Sequence, residues 1–306
     1  EEDTKITYAE ARKRIALWLP YTEGKSFEVR DVTSEFNVGS AEGKHNVRQA
    51  LSNLKREGVL SGDRGRYRYI NRELEPLNWV EADTNEILDI KWPYGWGDST
   101  SFGFDDNLTL FPNSIVVVSG PTNIGKSGLA LNVVALNCDS WECRYLTNEM
   151  GAEELKDRLS NFEEHYALTD EFGSSKFEAA VRYDNYEDVI LPKGLTVIDY
   201  LDPGENAYMV GQQVDAIRRR LNGGVVFIVM QKKMGSEYAI GGQYSEHRAR
   251  IVLHIDRDKN GQDFLLVKKA KKCRKENLNG KKFTFSLRNN GTQFYNIRPY
   301  VEGENG

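Results

Sequence analysis

The stretch VVVSGPTNIGKSGLALNVVALN, Val116 to Asn137, decides how this chain is read. An apolar run meets Gly120, and Gly125-Lys126-Ser127 follows five positions later, satisfying G-x-x-x-x-G-K-[ST]. The context suits the motif, because the strand-like SIVVVS precedes it and the helix-like SGLALNVVALN follows. Glycines let backbone N–H groups curl around phosphate oxygens, and the helix N-terminus adds its positive dipole end. The loop Gly120, Pro121, Thr122, Asn123, Ile124, Gly125, Lys126, Ser127 and Gly128 is therefore expected to cradle a nucleoside triphosphate. Lys126 would reach the β- and γ-phosphates, and the Ser127 hydroxyl would coordinate Mg²⁺.

Three further strands supply partners for that loop. WECRYLTNEM ends in Glu149-Met150, placing a carboxylate where it can polarise an attacking water. GLTVIDY delivers Asp199 after apolar residues, positioned to hold Mg²⁺, and GGVVFIVMQKK ends in Gln231, a polar group suited to sensing a γ-phosphate. The segment AYMVGQQVDAIRRRL reads as a helix between these last two strands. Strands alternating with helices predict an α/β fold with a mostly parallel sheet and ligands at the strands' C-terminal ends.

In order and spacing, GPTNIGKS, LTNEM, TVIDYLDP and VMQKK resemble the RecA-like ATPase core, and within it the DnaB-type hexameric helicase branch. The resemblance covers roughly residues 103–288 and includes a Leu-x-x-Arg pattern, Leu155 to Arg158. It implies ATP and Mg²⁺ as ligands, with Glu149 as the catalytic glutamate, Asp199 as the Walker B aspartate and Gln231 as the sensor. It also implies a basic strand whose Lys-x-Arg acts on the nucleotide of a neighbouring subunit, and hence a homo-oligomer, either a hexameric ring or a filament. Lys272 and Arg274 fit that pattern, Lys269 and Lys271 form a weaker alternative, and a basic hairpin for nucleic acid is the competing reading. The branch's single-strand-gripping loop falls on KKMGSEYAIGGQYSEHRAR, where Lys232, Lys233, Arg248 and Arg250 flank Gly241-Gly242. This loop is shorter and less basic than a dedicated motor would want. Where that branch carries a helical assembly domain, a different module is expected here.

A different module stands at the N-terminal end. YAEARKRIALWL, FEVRDVTSEFN and GKHNVRQALSNLKREGVL each place apolar residues at helical spacing, and VLSGDRGRYRYI reads as two strands around Gly62-Asp63-Arg64-Gly65. Three helices and a hairpin resemble a winged-helix domain, whose third helix enters the DNA major groove while the hairpin touches backbone or minor groove. The resemblance assigns DNA contact to Lys44, His45, Arg48 and Gln49 on the helix and to Arg64, Arg66 and Arg68 on the wing. A protein partner is the alternative for such a module. The expected organisation is a winged helix over 1–72, a linker over 73–102 and a RecA-like P-loop ATPase domain over 103–306. Aromatic residues of the connector are expected to pack on the next domain, with base stacking or a neighbouring subunit as alternatives.

Composition narrows the remaining classes. The 306 residues are 39% apolar and 28% charged, enough for a packed core. Residues 1–72 hold 14 Lys+Arg against 11 Asp+Glu, a balance of +3 within a chain of net charge −5. That local excess suits contact with a polyanion such as DNA. No stretch approaches the roughly 18 apolar residues of a membrane span. Cys138, Cys143 and Cys273 form no ligand pattern, the four histidines are scattered, and a zinc site is not expected. Unpaired cysteines and a polar first segment predict a cytoplasmic, reducing setting. The whole reads as a DNA-linked ATPase of replication or recombination, either moving on DNA or acting as a switch or loader for a partner protein.

Overall fold

A computed structural model describes residues 6–22, 24–74, 76–163, 165–202 and 209–300. The chain divides into two compact units, 1–82 and 83–306.

The smaller unit is α+β. Helices α1 (Tyr8–Trp18), α2 (Val29–Glu35) and α3 (Ala41–Arg56) accompany three short strands, β1 (Phe27–Glu28), β2 (Leu60–Ser61) and β3 (Arg66–Tyr69). The strands pair in the order β1-β3-β2, all antiparallel. Thr7 and Ser40 cap α1 and α3 by accepting hydrogen bonds from the Glu10 and Gly43 amides. Gly58 closes α3 in the left-handed region, at φ 72°. Ile15, Val32, Val47, Leu51 and Leu54 meet in the core as their helical spacing requires. Phe27-Glu28, expected as the start of the second helix, is instead a strand. Two consecutive extended residues suffice to pair with Tyr67 and Arg66.

The larger unit is built on one nine-stranded sheet. Its elements are α4 (Phe104–Asn107), β4 (Ser114–Gly120), α5 (Lys126–Asn137), β5 (Cys143–Thr147), α6 (Ala152–Ser160), β6 (Glu178–Val181), β7 (Leu195–Asp199), α7 (Val210–Arg220), β8 (Val225–Gln231), β9 (Ile251–Arg257), β10 (Asp263–Ala270), β11 (Lys282–Arg288) and β12 (Gln293–Pro299). The strand order is β12-β11-β10-β9-β4-β8-β7-β5-β6. From β9 to β6 all neighbours are parallel, and the β9–β12 edge is antiparallel. Central strands are buried on both faces, which is why they read as unbroken Val/Ile runs. Alternation along β4 sends Val116 and Val118 into the layer beneath α5, and Ile115 and Val117 into the layer beneath α7. Helix α5 is apolar nearly all round and correspondingly buried. Ala207 and Tyr208, expected at the start of α7, lie outside the described residues.

Residues 83–102 do not behave as a linker. Ile90, Trp92, Trp96 and Phe102 are buried in the core of the larger unit, with Trp92 edge-on to Phe104 and Phe227. Aromatic content outweighs the Pro and Gly that made the segment look irregular. Among the described residues no helix is long and apolar enough to cross a membrane.

Candidate functional site

Four parallel strands stop beside one another and release the site residues at their C-terminal ends. β4 ends at Gly120, β7 at Asp199 and β8 at Gln231, and Glu149 stands two residues past the end of β5. The loop 122–128, Glu149 and Gln231 line one cleft of about 420 Å³. Gly125 caps α5 at φ 95°, a conformation that admits few side chains.

Each polar side chain there has a defined posture. Lys126 is buried, and its Nζ donates to the Pro121 carbonyl at 2.5 Å. Burial lowers its pKa, against the opposing pull of Asp199 and Glu149. Thr147 Oγ1 accepts from the Glu149 and Met150 amides at 3.2 and 3.4 Å, which fixes the turn that presents Glu149 to the cleft. The Glu149 carboxyl is held above the usual range by burial first and by Asp199 second, with Lys126 and Arg158 working the other way. Asp199 is 1% exposed. Its Oδ2 accepts from Tyr145 Oη at 2.5 Å, while Oδ1 has no hydrogen-bond partner among the described residues. Burial raises its pKa despite hydrogen bonds from Tyr145 and Ser127. Gln231 Oε1 accepts from the Thr122 hydroxyl at 3.3 Å, joining the end of β8 to the phosphate loop.

A wall of the cleft comes from a part of the chain that the sequence reading left unassigned. The turn Asn289-Asn290-Gly291-Thr292 between β11 and β12 reaches over the first turn of α5. Asn132 Nδ2 donates to the Thr292 carbonyl at 2.6 Å and to the Gly128 carbonyl at 2.8 Å. A Cβ on Gly128 would lie 1.8 Å from the Gly291 carbonyl oxygen, so that position must be glycine for the turn to seat. Leu287, Asn290 and Gly291 line the cleft in consequence, joined by Arg158 from α6 and by Asp263. The Asn-Asn-Gly turn between FTFSLR and QFYNI is a hairpin signal that could have located this wall.

Other expected residues lie elsewhere. Lys272 and Arg274 follow β10, whose end pairs with Ile251, level with the start of β4 and far from the loop that follows Gly120. Lys272 Nζ sits 4.8 Å from the Phe111 ring centroid, and the Arg274 guanidinium donates to the Asp105 carbonyl. Neither lines the cleft of its own chain. Lys269 Nζ is engaged by the Glu246 carbonyl at 2.8 Å.

The expected single-strand-gripping loop needs correction at one of its cations, Lys232. Lys232 is buried, with Nζ 2.6 Å from Asp256 Oδ2 and 2.8 Å from the Ser236 carbonyl, and cannot present charge to a phosphate. Arg248 pairs with Asp215 at 2.7 Å.

In the smaller unit, Lys44, His45, Arg48 and Gln49 are exposed on α3, and Arg64, Arg66 and Arg68 are exposed on the hairpin. Tyr67 and Tyr69 turn inward between them, as period-two alternation requires. Arg66 is partly committed to Glu28 at 3.3 Å.

No family model matches the chain, and neither does any curated protein. Among solved structures, the crystal structure of a KaiC-like protein from the hyperthermophilic archaeon Pyrococcus horikoshii aligns over 70% of this chain and 100% of its own, at 15% identity and a TM-score of 0.50. The RadB recombinase aligns over 59% of this chain and 90% of its own, at 17% identity and a TM-score of 0.44. At such identities the likeness is one of fold. The larger unit has the RecA-like P-loop architecture, and nothing in the likeness singles out the DnaB-type branch.

Proposed function

We propose that this chain is a DNA-linked ATPase, hydrolysing ATP in the cleft beside α5. The observation that carries the reading is the convergence of Lys126, Ser127, Asp199 and Glu149 at the ends of adjacent parallel strands. Mg²⁺ suits the residues present, since Asp199 keeps an unpartnered buried oxygen beside the Ser127 hydroxyl and both offer the hard oxygen donors this ion prefers. Bound there by Ser127 and Asp199 together with phosphate oxygens, it would neutralise charge on the triphosphate. Lys126 and the loop amides bind and orient the phosphates. Glu149 takes a proton from water as its oxygen attacks the γ-phosphorus, and the bond to the β–γ bridging oxygen breaks with its electron pair leaving on ADP. Gln231 reports the γ-phosphate to the loop that follows β8.

DNA enters through the smaller unit. Its helix and hairpin arrangement supports the winged-helix reading, in which the exposed cations of α3 and β3 contact the duplex. Lys272 and Arg274, remote from their own cleft, are suited to serve a neighbouring subunit's nucleotide in an oligomer. One observation favours a second reading, an ATP-gated switch or loader without strand separation. Lys232 of the loop after β8 is spent on a buried ion pair with Asp256, which lowers the charge left to track a single strand.

Hydrolysis measured without DNA, with single strands and with duplex separates the two. Stimulation of about tenfold or more by DNA, lost when Arg64, Arg66 and Arg68 become alanine, is the expected result. Turnover indifferent to every DNA sinks the DNA-linked reading and leaves the switch.

A further inference from the structure

Arg158, on the last turn of α6, has no part in the mechanism so far, and a role for it rests on the same phosphate-site reading. It and Lys126 are the only cations lining the cleft among the described residues. Its side chain is 27% exposed. Nε and Nη2 both donate to Glu154 Oε1, at 3.2 and 2.8 Å, while Nη1 has no protein partner among the described residues. A guanidinium carries five N–H donors in a fixed fork, so this pairing leaves donors for an anion.

The end of α6 that carries Arg158 is pinned by the β11–β12 segment. Asn290 Nδ2 donates to Asp157 Oδ2 at 3.2 Å, and Gln293 Nε2 to the Asn161 carbonyl at 3.0 Å. These bonds come from the same β11–β12 segment that walls the cleft, so the helix and the wall are held as one assembly. Charge in the cleft is otherwise short of cations. Glu149 and Asp263 line it, Asp199 lies beneath, and of these Asp263 alone has a dedicated partner, Arg257 Nε at 2.6 Å. Lys126 by itself would face these carboxylates and a triphosphate.

The geometry points to Arg158 as a cis-acting cation for the γ-phosphoryl group, a catalytic arginine supplied by the chain that binds the nucleotide. It stabilises charge on the phosphoryl oxygens as the bond to ADP breaks, and Glu154 holds the guanidinium at the rim ready for that contact. Acting within one chain, it sustains turnover at dilutions where no oligomer survives. A neighbour's Arg274 would add to this contribution rather than create it. Arg158 also bears on Glu149, whose carboxyl faces Asp199 from β7, Lys126 from α5, and Arg158 and Glu154 from α6.

The test compares wild type with Arg158→Ala and Arg158→Lys. ADP and Mg²⁺ affinity should stay within about threefold in both. The alanine variant should lose roughly 100–1,000-fold in kcat and fail to trap ADP with aluminium fluoride, a mimic of the transferring phosphoryl group. Lysine should restore part of both, having the charge without the fork. The acid limb of the pH–rate profile should move to higher pH in the alanine variant, because a cation favouring ionised Glu149 is gone. Trapping and kcat within threefold of wild type in Arg158→Ala overturn the assignment. Equal loss of ADP affinity and turnover also overturns it, in favour of a structural role. Wild type that binds no nucleotide refutes the phosphate-site reading itself.

Discussion

Glu149 and Asp199 are two carboxylates held against their ionisation by burial, and Asp199 adds to the difficulty of Glu149. For Glu149 the raised pKa carries a sign for both activity and stability. A proton acceptor must be ionised, so hydrolysis should fall on acidification along a limb lying above the ordinary glutamate range. The folded protein holds the Glu149 and Asp199 protons more tightly than the unfolded chain does. Their contribution to stability is therefore greatest at low pH and declines as pH rises through the raised values. At neutral pH both carboxylates cost stability, as groups shaped for chemistry do. A pH–rate profile whose acid limb falls at or below the ordinary glutamate value would contradict the assignment of Glu149 as base. At this scale the sequence was most informative. The phosphate loop, Glu149, Asp199 and Gln231 are each legible as a residue type placed after an apolar strand, because strand ends are where a parallel sheet exposes its polar groups. Lys232 was misread, since a lysine after a strand looks solvated until Asp256, 24 positions later, is found beside it.

The element that most alters the picture is the β11–β12 hairpin. Its turn seats on α5 through Asn132 and on α6 through Asn290 and Gln293, closing a cleft that strands and phosphate loop alone would leave open. Gly128 is the contact that permits it. Gly128→Ala places a methyl group against a backbone carbonyl that cannot rotate away, and should cost about 2–3 kcal/mol. For a unit of this size that lowers the melting midpoint by roughly 4–12 °C. Thermal denaturation checks it, and an unchanged midpoint would mean that the turn yields without penalty. Gly128 is the helical residue directly after Lys126-Ser127, and a sequence reader credits it to the phosphate loop. Its packing role depends on a turn more than 160 residues away, which no local spacing encodes. The same holds for β9, which follows the expected loop and is not read as a strand from sequence, whereas Trp92 and Trp96 of the connector are buried in the core of the larger unit, in line with the expected packing of its aromatics.

The whole molecule carries a RecA-like core and a small basic α+β unit, and the proposed chemistry belongs to the core. On the proposed function, the cleft binds Mg²⁺–ATP through Lys126 and turns it over through Glu149. The two functions rest on different strands, β4 and β5, and should therefore separate by mutation. The alternation of buried strands with helices made the core visible in sequence, whereas of the antiparallel β9–β12 edge the basic β10–β11 hairpin was legible and β9 and β12 emerge from pairing. The most direct measurement is equilibrium binding of Mg²⁺–ATP, followed by single-turnover hydrolysis, for wild type, Lys126→Ala and Glu149→Gln. Lys126→Ala should weaken binding at least about tenfold, and Glu149→Gln should bind within about threefold of wild type while its single-turnover rate falls roughly 100-fold or more. Hydrolysis by Glu149→Gln at the wild-type rate, or binding by Lys126→Ala at wild-type affinity, would contradict the account.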